Sequence, residues 1–268
     1  MTSSKTVVGI GIFALLVLAA PSVRAAPPFV DRNITLPRSD WAFDFGFGIN
    51  HFSGVPGDRF GPGFNIEGAV GVTRGLELGL RTGLRLNWPA RADGPYGADT
   101  YARPFDNETY GTGNDVVANP EFHIRGALVE GDVVELGLEG RANIPFDRPF
   151  MIMPALPLAF HFGHAVRLDT GVYMPIFFYP APDDRQTSLI IDFPFHLWIQ
   201  ATDQLWLGPL LGIRVHASAN YTEIPLGFGL GYSITRTLDL KTWLLFQDVT
   251  RGPDPSWGLG VGLQVRIE

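Results

Sequence analysis

The stretch "LELGLRTGLRLNW", residues 76–88, alternates without a break, and this constrains the fold more than any other feature of the chain. Leu76, Leu78, Leu80, Thr82, Leu84, Leu86 and Trp88 fall on one side of an extended backbone; Glu77, Gly79, Arg81, Gly83, Arg85 and Asn87 fall on the other. Successive strand side chains point to opposite faces, so the segment has one apolar and one charged face. A soluble sandwich would bury the leucines and wet the charges. A membrane-spanning barrel would set the leucines in lipid and the charges in a lumen.

The same pattern recurs at 41–52, 64–72, 116–128, 133–144, 151–162, 165–174, 188–200, 205–218, 222–234, 238–249 and 257–267, making twelve strands. Short turns such as Thr73-Arg74-Gly75, Gly163-His164 and Thr235-Arg236-Thr237 alternate with longer connections at 53–63, 89–115, 145–150, 175–187, 219–221 and 250–256. An even number of long antiparallel strands, with turns and loops in alternation, is the pattern of an outer-membrane barrel. Soluble strands average roughly five or six residues. The fold class read from the sequence is therefore all-β: a transmembrane antiparallel up-and-down β-barrel of about twelve strands after a cleaved signal peptide.

The domain reading follows from the ends. Lys5, the apolar run 7–20 and small residues up to Ala25 form a Sec-type signal peptide, residues 1–25. The run is too short for a spanning helix, which needs about 20 residues. Residues 26–40 are then an N-terminal periplasmic segment and residues 41–268 the barrel. The chain ends on Glu268, where barrels of this kind usually place an aromatic residue for the assembly machinery.

The composition of the two faces favours the barrel over the sandwich. The non-apolar face is rich in Gly and carries Arg and Glu at matched depths, whereas a water-facing sheet would show Lys, Thr and Ser. Aromatics near strand ends resemble interfacial belts: Trp41, Trp88, Phe146, Phe150, Phe177, Phe178, Tyr179, Tyr232, Phe246 and Trp257. A closed barrel leaves no strand edge in lipid. The formal net charge of −7 argues against a nucleic-acid partner. The absence of cysteine excludes disulfides and thiol chemistry. Partners expected are outer-membrane lipid, the assembly machinery and small solutes, with no cofactor, at the outer membrane of a Gram-negative cell.

Twelve strands about 4.8 Å apart and tilted about 40° give a backbone diameter near 24 Å, leaving roughly 10 Å between side chains. Glu77, Arg81, Arg85, Glu121, Arg125, Glu135, Glu139 and Arg141 sit on neighbouring strands and are the candidate pore-lining residues. Buried charges need partners, so a cross-strand ladder is expected. It serves as a constriction for a small polar solute or as a network that makes a polar lumen stable. Inward glycines (Gly46, Gly48, Gly227, Gly229, Gly231, Gly258, Gly260 and Gly262) predict one flat wall with free space beside it. Loop 89–115 is long enough to fold inward or to act as a lid.

Two motifs resemble known families. "HASAN", with His216, Ser218 and Asn220, resembles the His–Ser dyad and Asn of the outer-membrane phospholipase A family, which implies a lipid-facing dyad. Here Leu211, Ile213, Val215 and Ala217 take the lipid side, so the dyad would point inward and no enzyme is expected. His123, His161 and His164 show no metal-site spacing. "GNDVVANPEFHIRGAL", a turn, and "VELGLEGRANIP", with "TRGLELGL" before them, resemble the outer-membrane barrels named for the meta pathway of phenol degradation, over residues 70–145. That resemblance implies an outer-membrane channel, for small aromatic or apolar solutes, and fixes no binding residue. The reading taken forward is a channel for passive diffusion or uptake of small solutes. Its rival is a non-conducting barrel that acts through structure or surface contacts, with a lipid hydrolase a distant third.

Overall fold

The structure is a computed structural model and describes residues 27–52, 59–85, 117–144, 150–178, 187–217, 220–250 and 257–268. The signal peptide, loop 89–115 and Ser218 lie outside the described residues, as does the side chain of Arg85.

A single 3-10 turn, Phe29–Asp31, precedes fourteen strand segments. These are β1 (Trp41–Phe52), β2 (Arg59–Thr73), β3 (Leu76–Arg85), β4 (Val117–Glu130), β5 (Val134–Asn143), β6 (Phe150–Phe162), β7 (Val166–Tyr173), β8 (Ile176–Phe178), β9 (Thr187–Gln200), β10 (Leu205–His216), β11 (Tyr221–Glu223), β12 (Leu226–Ser233), β13 (Leu238–Phe246) and β14 (Trp257–Ile267). Each pairs antiparallel with its neighbours, and β14 pairs with β1 from Trp41↔Ile267 to His51↔Trp257, closing the sheet.

The segments make twelve staves. β7 and β8 both lie between β6 and β9, while β11 and β12 both lie against β10. Each pair is one strand interrupted at a proline, Pro175 or Pro225, which cannot donate to the ladder. The carbonyls at the breaks stay paired: Ile190 N–H donates to Pro175 O and Gly212 N–H to Pro225 O, both at 3.1 Å. The turns, β1's start and β14's end share one end of the barrel, called here the turn end. The longer connections share the other, the loop end.

Burial runs opposite to that of a soluble protein. Leu78 and Leu80 are 41% and 43% exposed, whereas Glu77 and Arg81 are 0% and 3% exposed. The outer surface is a band of such residues, including Phe47, Ile66, Phe122, Ile124, Phe228 and Val261. A continuous apolar exterior around a polar interior is stable only with lipid outside. The leucines of residues 76–84 face the membrane.

Two expectations need correction. Phe177 does not join an outer aromatic belt: it is buried with Met151, Met153, Ala155, Tyr173 and Ile190 in a cluster on the lumen side. Strand parity forbids Phe177 and Phe178 from sharing a face, and Phe178 takes the outer one at 38% exposure. At two of the inward glycines the wall is covered rather than free. A Cβ at Gly231 would fall on the Trp206 ring, and one at Gly260 on the Trp243 ring. Gly231 and Gly260 each clear a place for a neighbouring strand's tryptophan on the wall.

Candidate functional site: the charged lumen and the segment that crosses it

The pore-lining candidates come together on β3–β5, where register sets them side by side: Arg81 opposite Glu121, Glu77 opposite Arg125, and Arg125 opposite Glu139. Arg81 Nη2 reaches Glu121 Oε1 at 2.8 Å, and Arg125 Nε reaches Glu139 Oε2 at 2.6 Å. Arg141 donates from Nε to the other oxygen of Glu139 and from Nη1 to Glu121 at 3.4 Å. His123 stands within 3.1 Å of Glu77 and 3.5 Å of Glu67. Elsewhere on the wall, Lys241 holds Asp44 at 2.5 Å, Arg167 holds Asp169 at 2.7 Å, and Arg214 lies between Glu223 and Asp192.

These described wall-to-wall ion pairs join residues on the same strand, on adjacent staves, or across one intervening stave. The network lies along the wall and none of them spans the axis. Cross-strand pairing of this kind satisfies desolvated charges without filling the centre. His216 belongs to it: the ring points inward, stacks on Tyr221, and sets Nε2 3.1 Å from Glu223.

Of the 26–40 segment expected in the periplasm, residues 28–36 run inside the lumen at the turn end. Phe29, Val30, Arg32, Ile34 and Leu36 are each no more than 2% exposed. Wall side chains hold the backbone of this plug. Glu135 accepts the Ile34 N–H and Glu77 the Leu36 N–H, both at 2.9 Å. Arg125 donates to Ile34 O at 3.2 Å, and Arg167 donates to Arg32 O. His161 links Val30 O and Glu135 through its two ring nitrogens, each at 2.7 Å. Of the pore-lining candidates, Glu77, Arg125 and Glu135 therefore touch the plug, while Arg81, Glu121, Glu139 and Arg141 form the ladder above it.

The plug's side chains add their own contacts. Phe29 stacks on Trp206 at 4.9 Å and 7°, and meets Trp198 edge-on at 5.5 Å. Arg32 forms a two-pronged pair with Asp239 at 2.6 and 3.3 Å. Ile34 packs on Ala159, and Leu36 on Ala42 and Ala69. The segment leaves the lumen over Gly71, where a Cβ would strike the Pro37 carbonyl, and Ser39 N–H donates to Gly71 O at 2.7 Å. At the exit, partial burial and then the nearby Glu268 raise the Asp40 carboxyl above its ordinary value, against an opposing pull from Arg266. Beside the plug a cavity of about 600 Å³ opens between Asp31, Asn33, Glu130, His161 and His164.

The lumen is also two-sided in composition. Charges concentrate on β2–β5, whereas the wall from β6 to β10 carries the Met151–Ile190 cluster at the loop end and Trp198, Trp206 and Leu210 near the plug. The tryptophans and Arg32 were absent from the sequence-derived site. Parity from Asp192 and His196 puts Trp198 on the inner face, and that signal was available.

No protein-family profile matches the sequence, and no curated protein matches it in sequence. Solved structures do match in fold. An outer-membrane channel from Pseudomonas putida F1 superposes with a TM-score of 0.61 at 10% identity, covering 87% of this chain and 97% of that one. The NanC porin gives 0.58 at 7% identity over 84% and 100%, and the KdgM porin 0.56 at 9% over 85% and 99%. At such identities the likeness is one of fold: a closed twelve-stave porin-like barrel.

Proposed function

We propose that this chain is an outer-membrane channel for small solutes, closed at its turn end by residues 28–36. One observation carries the reading. The ion pairs seen between described wall residues run along the wall, and among the described residues the N-terminal segment crosses the axis. A terminal segment can leave without breaking the barrel's ladder. A network built to fill the lumen would instead pair across it. The porin-like neighbours support the same reading by fold, and the resemblance of residues 70–145 to the phenol-pathway barrels extends it to a family. In this reading lipid surrounds the apolar band, the turn end faces the periplasm, and the outer-membrane assembly machinery inserts the barrel.

The experiment is conductance of the refolded mature protein in a planar bilayer. It is compared with a variant carrying Ile34→Cys and Ala159→Cys, a pair drawn from one buried cluster. The chain has no other cysteine, so the crosslink is unique. We expect discrete steps from the parent, silence from the crosslinked form and recovery with reductant. A correctly folded parent that stays silent even after Phe29→Ala would make this a structural barrel.

A further inference from the structure

Phe29 and Arg32 fill a place on the lumen wall lined by aromatic rings, a carboxylate and a guanidinium of the barrel itself. The wall side of the slot is Trp206, which lies parallel to the Phe29 ring, with Trp198 at its edge and Leu210 alongside. Both tryptophans are fully buried. The Arg32 guanidinium lies 5.6 Å from the Phe29 ring centroid and 5.4 Å from the Trp206 ring, and it ends on Asp239.

Asp239 is 0% exposed. Ser233 Oγ and Arg266 both donate to its Oδ1, at 2.7 and 3.1 Å. Among the described residues, Arg32 alone donates to Oδ2. When the plug leaves, one oxygen of a desolvated carboxylate loses its donor, which is costly unless a ligand or water replaces it. A second group reports the same vacancy. Arg167 is fully buried and stands 5.6 Å from the Phe29 ring; among the described residues its Nη2 has no partner, and its Nη1 is held only by the plug's Arg32 carbonyl.

Resting on the undocking proposed above, we infer that the vacated place is a binding site for arylalkylamines: small solutes with an aromatic ring joined by a short chain to a cationic nitrogen. The ring takes the Phe29 position on Trp206, where aromatic stacking and cation–π attraction both operate. The ammonium takes the Arg32 position on Asp239 Oδ2. The site already accommodates a cation beside Arg167 and Arg266, since Arg32 is one. Arg167 is left to donate to an oxygen on the same solute. Such a solute competes with the plug for one site, so its binding opens the path it travels.

The test uses the full mature chain carrying Phe29→Ala and Arg32→Ala, which empties the slot while leaving the wall intact. Calorimetric titration in detergent compares 3-phenylpropylamine, 3-phenylpropan-1-ol and hexylamine. We expect saturable binding of the phenylpropylamine, with the alcohol and the ring-free amine each at least about tenfold weaker, as the charge-assisted bond and the stack are lost in turn. Asp239→Asn in the same background should bring the amine down to the alcohol. If that variant fails to fold, the amine–alcohol contrast decides alone. Equal heats for all three ligands would be detergent partitioning, and would overturn the site, as would no binding. Conductance separates this inference from the channel reading. An amine that binds a barrel that never conducts leaves the site standing without the channel. A conducting barrel that ignores the amine leaves the channel without the site.

Discussion

Phe29→Ala is the sharpest perturbation of the proposed gate. The ring is 1% exposed, stacked on one tryptophan and edge-on to another. Undocking moves it from that slot into the water of the lumen, so truncation weakens the docked state by the usual cost of removing a buried Phe, about 3–5 kcal/mol. At about 1.4 kcal/mol per decade, the docked-to-undocked ratio should fall roughly 10²- to 4 × 10³-fold. The barrel's own pairing is untouched, because Phe29 belongs to no strand. Phe29→Leu grades the effect: it retains most apolar area and loses the stack, worth about 0.5–1.5 kcal/mol, so roughly a tenfold shift is expected. The assay is single-channel open fraction at fixed voltage, with swelling of solute-loaded liposomes as an ensemble check. Circular dichroism and heat-modifiable gel migration show that each variant is folded. An open fraction that is unchanged in folded Phe29→Ala would refute the reasoning, because burial this complete cannot be lost without weakening the plug.

Three further changes test the wall. Glu139→Gln removes the carboxylate shared by Arg125 and Arg141; leaving two buried guanidiniums short of a partner should cost about 3–5 kcal/mol in urea unfolding, and reversal potentials should shift toward anion selectivity. A loss below about 1 kcal/mol would mean that the ladder is solvated. Gly231→Ala sets a methyl on the Trp206 ring, so strain of about 1–3 kcal/mol is expected; the unfolding midpoint should drop and the open fraction rise as the slot distorts. Asp40→Asn tests the exit: the folded state holds that proton more tightly than the unfolded chain, so the group's contribution to stability falls as pH rises from its ordinary value through its raised one. The variant should therefore unfold at a slightly higher temperature than the parent near neutral pH, with the difference vanishing in acid.

The strands were legible because lipid outside and charge inside impose one rule on every residue, and a period of two survives any packing detail. β1 and β14 fall at the bounds that the alternation assigns, Trp41–Phe52 and Trp257–Ile267. Local chemistry without a period was harder to read: the breaks at Pro175 and Pro225 arise from a missing N–H within otherwise amphipathic runs. The ladder was legible as a set of signs, since Arg81, Glu121, Arg125, Glu139 and Arg141 had to neutralise one another somewhere. The role of Glu135 was not, because its partners are His161 and the backbone of Ile34 rather than an arginine.

The plug was hidden for a related reason. "FVDRNITLPRSD" puts Arg32 in the same alternate positions as Val30, Ile34 and Leu36, so it shows no clean apolar face, and nothing within it explains why Arg32 should be buried with them. Its position is set from outside, by acceptors and donors that the barrel brings together from β3, β4, β5, β7 and β13. A segment held in this way needs every one of those strands closed before it can dock. In the proposed gate, docking follows barrel formation, and undocking leaves every strand pairing in place, because no plug residue belongs to the ladder. That asymmetry suits the proposed gate: the plug is held by wall side chains, while the strand-to-strand hydrogen bonds of the barrel include no residue of the plug.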